Sequence, residues 1–409
     1  MHIVLQHLKS GDWVTLARVR GYSVILLSFF AIAIVGWIVV SDGGIDRNGK
    51  PIGTDFSNPY AAGTLALAGH AADAYDPERL HAAEKAVFGG REVPFYGWHY
   101  PPFFFVIAML VASVPYLWGL FFWQALSLAG FLGVIRAILK RPESLLIAAA
   151  FPAVFVNLGH GQNGFLTAAL LGGALHCLNR RPALAGLLIG LLAYKPQFGV
   201  LIPLALLANR RWTALSTAAL TVAVSIALGT AVFGVDIWRA FAASTGFTQT
   251  IVLEQGATGW EKIQSIFSAV RMWGGGVEIA YAFQAALALP LAASLAWLWR
   301  SEAAFDLKAS ALASASLLAT PYVLDYDLVA LGVAIAFFAR DGFARGFRDY
   351  EISLLAFAWF VPLIGRAVTG ATGIPLGLIA LLAVYVVTLR RAIAFPAVVR
   401  HEKALFAQA

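Results

Sequence analysis

The run YSVILLSFFAIAIVGWIVV, Tyr22 to Val40, contains no charged residue and no proline. The hydrocarbon core of a bilayer is about 30 Å thick and takes roughly 20 apolar residues as a helix, so this run is long enough to cross it. A secretory leader is the alternative. The run is longer than a leader's apolar region, lacks a small-residue cleavage pattern, and follows Arg18 and Arg20 as an orientation signal does. It reads as a membrane anchor. Comparable runs recur as far as the last turn before Arg390, about 12 (11–13) in all. Composition agrees: 60% hydrophobic residues, 12% charged residues and a mean hydropathy of +0.76 over 409 residues describe an all-α polytopic membrane protein and exclude a soluble core. The chain reads as one integral-membrane domain, 1–409, with a first outer loop at 41–101 and a second large outer loop at 235–277.

The formal charge of +7 does not mark a nucleic-acid binder, because Lys and Arg fall in short clusters between apolar runs instead of on one basic face. Such clusters mark cytoplasmic loops. On that rule Arg18/Arg20, Arg136/Lys140/Arg141, Arg180/Arg181, Arg210/Arg211, Arg300/Lys308, Arg340/Arg345/Arg348 and Arg390/Arg391 face the cytoplasm, as do both termini. The runs between them become paired crossings. These turn outside at Gly159-His160-Gly161-Gln162-Asn163, at Lys195-Pro196-Gln197, across 235–277 and at Thr320–Asp327. Pro101 to Lys140 breaks the pattern, since it must cross once yet holds apolar residues for nearly two spans. Its part before Pro115 opens with Pro101-Pro102 and is too short for a span, so a re-entrant or interfacial helix is expected there. The single cysteine, Cys177, lies in an apolar run, which argues against a disulfide framework or a thiol-rich metal site.

This map places the unusual polar groups on one face. Asp55, Gln162, Asn163, Lys195, the Glu254–Arg271 segment, Asp325 and Asp327 all fall outside. A charge at the centre of a spanning helix costs roughly 2.5–3.5 kcal/mol on insertion scales, so such groups are kept where they face a cavity. A membrane cavity with a carboxylate at its water edge, nearby cations and apolar walls suits a substrate with a lipid tail, a phosphate and a polar head, such as a lipid-phosphate sugar. Moving the sugar requires a base for the acceptor hydroxyl and positive groups for the departing phosphate. No cofactor or metal is required, and His99 and His160 lack ligand spacing.

Several fragments occur in an order that resembles glycosyltransferase family 87, polyprenyl-phosphate-mannose-dependent membrane enzymes of the GT-C fold. They are Asp55-Phe56 with Tyr60-Ala61-Ala62, Ala74-Tyr75-Asp76-Pro77, Tyr100-Pro101-Pro102-Phe103, Asn157 with Gly161-Gln162-Asn163, and Ala185-Gly186 leading to Lys195-Pro196. The resemblance implies a GT-C-type bundle with surface helices in the first outer loop and Asp55 as catalytic base. It also implies inverting transfer of a hexose, mannose by resemblance, from a polyprenyl-phosphate sugar to a lipid or glycan acceptor. Family members often carry a Trp-x-His-His-like segment late in the chain, where this sequence has Asp325-Tyr326-Asp327, so no histidine role carries over there. The expected location is a bacterial inner membrane, with the site facing the periplasm or exterior.

Each site residue also has a plainer reading. Asp55 or Ser57 could serve only to cap the small-residue helix expected from Tyr60 to Gly69. Lys195, before the helix-breaking Pro196, reads as a donor-phosphate holder or as a snorkelling lysine at a turn. Gln162 and Asn163 suit sugar or phosphate contacts, or a tight turn between Gly161 and Gly164. Lys262 and Arg271, with interfacial Trp238, Trp260 and Trp273, suit a lid over the donor or an anchored surface loop. Tyr60, His99, Tyr100, Asp325 and Asp327 are candidate acceptor or sugar contacts. A transporter or flippase is the alternative function; it predicts an internal repeat and a midplane site, whereas the hydropathy shows no two-fold repeat.

Overall fold

The computed structural model describes residues 2–394. After a short amphipathic helix, α1 (His2–Ser10), the Tyr22 run forms α2 (Leu16–Val39), opened by Thr15, whose hydroxyl accepts from the Arg18 amide. The first outer loop holds α3 (Ser57–Leu67) and α4 (Pro77–Val87). The second has Pro77 at its first position and Asp76 capping the amides of Glu78 and Arg79. Next come α5 (Phe105–Ala112) and α6 (Tyr116–Leu139), then the broken pair α7 (Ser144–Ala149) and α8 (Pro152–His160), interrupted where Pro152 removes a backbone donor. α9 (Gly164–Cys177), α10 (Pro182–Leu191), α11 (Ile202–Ala208) and α12 (Trp212–Phe233) follow. The second outer loop contains α13 (Asp236–Phe247) and α14 (Ile266–Met272). α15 (Val277–Arg300), α16 (Phe305–Leu318), α17 (Leu331–Arg345), α18 (Glu351–Thr372) and α19 (Leu376–Ala394) complete the bundle.

Among the described residues no strand forms, and 6 helices, α2, α6, α12, α15, α18 and α19, are long and apolar enough to cross a membrane. The other expected crossings are helical but shorter. Three are interrupted: α7–α8 at Pro152, α10–α11 at Lys195-Pro196, and the approach to α17 at a 3-10 turn, Asp325–Ala330. α16 is enclosed on all sides, with every residue from Leu307 to Leu318 buried, so its serines face helices instead of lipid. The segment before Pro115 is a 3-10 turn (Pro102–Phe104) continued by α5. At 1.5 Å per residue, α5 with its leading turn reaches only about 16 Å, half a bilayer. It packs on α3 so closely that a methyl group at Gly63 would collide with the Ala108 carbonyl.

The basic clusters share one end of the bundle. Arg20 pairs with Glu143 at 2.5 Å, Lys9 with Asp349 at 3.3 Å, and Arg211 donates to Asn179 at 2.7 Å. Arg340 pairs with Asp306, and Arg391 bridges Asp341 at 2.6 Å and Glu351 at 2.5 Å. The opposite end gathers the first outer loop, the α8–α9 turn, the α10–α11 break, α13–α14 and the turn before α17.

Candidate active site

Asp55 lies in a 3-10 turn, Thr54–Phe56, entered through Gly53 at φ +71°. α3 starts at Ser57 with no side-chain cap, so Asp55 does not serve as its cap. Ser57 Oγ instead lies 2.9 Å from both the Thr54 carbonyl and a carboxyl oxygen of Glu84. The Asp55 carboxylate keeps one fifth of its surface open. Gln162 Nε2 donates to Oδ2 at 3.0 Å, Thr54 Oγ1 to Oδ1 at 3.3 Å, and His160 Nδ1 stands 3.7 Å from Oδ1.

The α8–α9 turn reaches Asp55 because of glycine. Gly161 has φ +63°, and a Cβ there would come 2.7 Å from Phe56 Cβ and 2.9 Å from the Gly53 carbonyl. The turn is then fixed from behind. Gln124 and Asn157 both donate to the Gln162 carbonyl at 2.9 Å, and Asn157 Oδ1 accepts from the Gly164 amide at 2.8 Å. Asn163 donates to the Tyr100 hydroxyl at 2.7 Å. Gln124 and Asn157 are satisfied by these bonds, while Asn163 Oδ1 is buried with no partner among the described residues; the Gln162 carbonyl, with two donors, holds its side-chain amide towards Asp55.

Asp55 opens onto a cavity of about 490 Å³ whose wall also includes His99, Tyr100, Gln162, Lys195, Lys262 and Asp325. The structure therefore brings together seven of the sequence-derived residues. Asn163 and Asp327 sit behind this wall, Asp327 as the partner of Lys195. Two others lie elsewhere. Tyr60 donates to the Val114 carbonyl at 2.9 Å and packs edge-on against Tyr116, because the α3 face that carries it turns towards the α5–α6 connection. Arg271 staples its own loop, donating to the carbonyls of Glu254 at 2.9 Å and Gly275 at 2.6 Å, so its guanidinium is spent on backbone. Lys195 is also altered from the simple reading. Its ammonium is buried 2.6 Å from Asp327 Oδ1 and is already neutralised.

Lys262, in the 3-10 turn Trp260–Lys262, is the cavity lysine with no carboxylate within 4 Å among the described residues. Burial and the neighbouring Arg366 pull its ammonium below the usual lysine range, while Asp55 and Asp325 act against this. Burial also works against ionisation of Asp55, but His160, Gln162 and Lys262 outweigh it and hold the carboxyl below its ordinary value. His99 is pushed down to about 4 by burial, so it is neutral at pH 7; its Nδ1 lies 2.6 Å from Thr248 Oγ1. Thr248 begins a π-helical turn, Thr248–Glu254, that continues α13 over the cavity. π turns are frequent at functional sites.

Three groups escape the sequence reading, although Arg366, a charge inside an apolar run, carried the same signal as Lys195. Glu84 lies in a helix of mixed charge, yet it is fully buried, stands 2.9 Å from Ser57 Oγ, accepts from the Tyr96 amide at 3.1 Å, and is pushed up to about 8 by burial. Asn58 lines the cavity one turn from Asp55, and its buried Oδ1 has no partner among the described residues. Arg366 stands 3.9 Å from Asp325. Glu84 and Asn58 are revealed only by the packing of α4 and α3.

The family model of glycosyltransferase family 87 matches residues 98–321. The match spans more than half of the chain and contains Gln162, Asn163, Lys195 and Lys262; Asp55, Asp325 and Asp327 lie outside it. No match was found among curated proteins or among solved structures.

Proposed function

Because the chain belongs to glycosyltransferase family 87 and is a membrane glycosyltransferase, we propose that it moves a hexose, mannose by family resemblance, from a polyprenyl-phosphate sugar to a hydroxyl of a lipid or glycan acceptor. The cavity is proposed to face the exterior or periplasm of a bacterial inner membrane. The observation that carries this reading is the Asp55 carboxylate. It is held ionised, serves no capping role, and opens onto a cavity whose Lys262 has no carboxylate within 4 Å among the described residues.

In the proposed step the acceptor O–H gives its proton to Asp55 while its oxygen forms a bond to the sugar's anomeric carbon. The carbon–oxygen bond to phosphate breaks, and its electron pair leaves with the polyprenyl phosphate. Asp55 then releases the proton to cavity water. Lys262 offsets the charge that develops on the departing phosphate, a role favoured in a water-poor site. Gln162 fixes the carboxylate, and the aromatic walls exclude water that would hydrolyse the donor. A β-linked donor displaced once would give an α product.

The test is transfer from radiolabelled polyprenyl-phosphate-mannose into a total lipid extract by the purified protein, beside Asp55→Asn at matched folding. A general base contributes about 10²–10⁴-fold, and a loss in that range is expected. Undiminished transfer by the variant would remove Asp55 from the mechanism. Absence of product with every polyprenyl-phosphate sugar would remove the donor assignment.

A further inference from the structure

Two residues on different elements approach the same oxygen of Asp55. Thr54 Oγ1 lies 3.3 Å from Oδ1 and 3.0 Å from His160 Nδ1, and His160 Nδ1 itself is 3.7 Å from Oδ1. A hydroxyl has one hydrogen to give. If that hydrogen goes to the carboxylate, the contact with His160 is satisfied only when Nδ1 carries a proton and donates to Thr54. The chain His160 Nδ1–H, Thr54 Oγ–H, Asp55 Oδ1 is then complete, and the imidazole presents its N–H side to the anion.

We propose that His160 is the positioning partner of Asp55: through Thr54 and its own charge it fixes Oδ1 and keeps the carboxylate ionised, leaving the cavity-facing lone pairs for the acceptor proton. This rests on the reading of Asp55 as base. The pairing is local to this cavity, and its other titratable neighbours are known. Asp55 is faced by Lys262 from the second outer loop, by Glu84 from α4 and by Tyr96 and His99 from the segment leading to α5. His160 is faced by Asp325 and Lys262, with the Tyr326 ring at 5.8 Å. Of these, His160 is the group nearest Oδ1 that can carry positive charge. Its position follows from Gly161, which ends α8 in the left-handed region and so directs the last side chain of the helix back at the Asp55 turn.

The experiment labels the protein's 8 histidines with ¹³C at Cε1 in lipid nanodiscs and assigns His160 by the resonance lost in His160→Gln or, should that variant fold poorly, in His160→Asn. The His160 midpoint is expected at higher pH in the wild type than in Asp55→Asn, by roughly 1 pH unit, the lower end of the effect of an opposite charge at this distance. An unchanged midpoint would overturn the pairing. In the second arm, the acidic limb of kcat/KM for His160→Gln is expected to move up by a similar amount; a loss equal at all pH values would reduce His160 to a packing group. Persistent transfer by Asp55→Asn together with a moved His160 midpoint would refute the base while leaving the pairing in place, so the two failures are distinguishable.

Discussion

Removing the charges of Lys195 and Asp327 together should cost this protein less stability than the sum of the two single removals. The ammonium lies 2.6 Å from Asp327 Oδ1, and both side chains are almost wholly buried, with the rings of Tyr326 and Phe198 within 6 Å of the cation. At an effective dielectric of about 20 the pair attraction is about 6 kcal/mol before desolvation is counted. Desolvation of each ion cancels much of that, but removing one partner leaves the other charge buried, at a cost of about 3–5 kcal/mol. Asp327 Oδ2 also accepts the Leu324 amide at 3.0 Å, and an asparagine can keep that bond. Lys195→Met and Asp327→Asn should therefore each cost about 3–5 kcal/mol, while the double variant, with no charge and the Leu324 bond retained, should recover about 2 kcal/mol or more relative to their sum. The assay is a double-mutant cycle of denaturant unfolding in mild detergent, read by tryptophan fluorescence. If Lys195 chiefly held a donor phosphate, Lys195→Met would leave stability unchanged and raise only the donor KM. That result, or simple additivity, would refute the reasoning.

Three further outcomes follow from other parts of the site. Gly161→Ala places a Cβ 2.7 Å from Phe56 Cβ in a left-handed backbone; a cost of about 1–3 kcal/mol is expected, with transfer activity falling more steeply because the Gln162 contact to Asp55 is displaced. Wild-type stability in a thermal melt would contradict it. Lys262→Met should lower kcat/KM for the donor by on the order of 10²-fold with unchanged folding, and steady-state kinetics within two-fold of the wild type, about 0.4 kcal/mol, would remove it from the phosphate site. Glu84 has a folded-state value near 8 against an ordinary 4.5. Between those values the unfolded chain is ionised at this position while the folded one keeps its proton, so stability falls as pH rises from about 4.5 to about 8 and is flat above. Glu84→Gln should abolish that component of the slope in melts at pH 5, 6.5 and 8. Parallel wild-type and variant curves would show that Glu84 is already ionised when folded.

The elements most legible in the sequence were those whose signal is local. The Tyr22 run, the basic clusters and the proline at 196 each act through solvation or backbone chemistry within a few residues, and they found the spans, the common basic end and the α10–α11 break, whereas the break at Pro152 came only from the structure. The short segment before Pro115 was likewise readable from length alone. Membership of the cavity wall was legible as far as it depended on falling in an outer turn: Asp55, His99, Tyr100, Gln162, Lys195, Lys262 and Asp325 share one cavity. Orientation was not. Tyr60 and Arg271 lie in the same outer loops, yet one points at the α5–α6 connection and the other at its own backbone.

The sequence by itself determined that this is a helical membrane protein with its unusual polar residues gathered at one end, because the cost of placing charge and unpaired backbone in hydrocarbon is paid residue by residue. Only the tertiary structure decided which of those residues line the cavity. It paired Lys195 with Asp327, left Lys262 open, buried Glu84 beneath α3 and set His160 and Gln162 on the two oxygens of Asp55. Those choices depend on helices meeting across long stretches of chain at glycine contacts such as Gly63 on α5 and Gly161 on Phe56. A charge's partner, and therefore its chemistry, is set by that close approach and not by its neighbours in sequence.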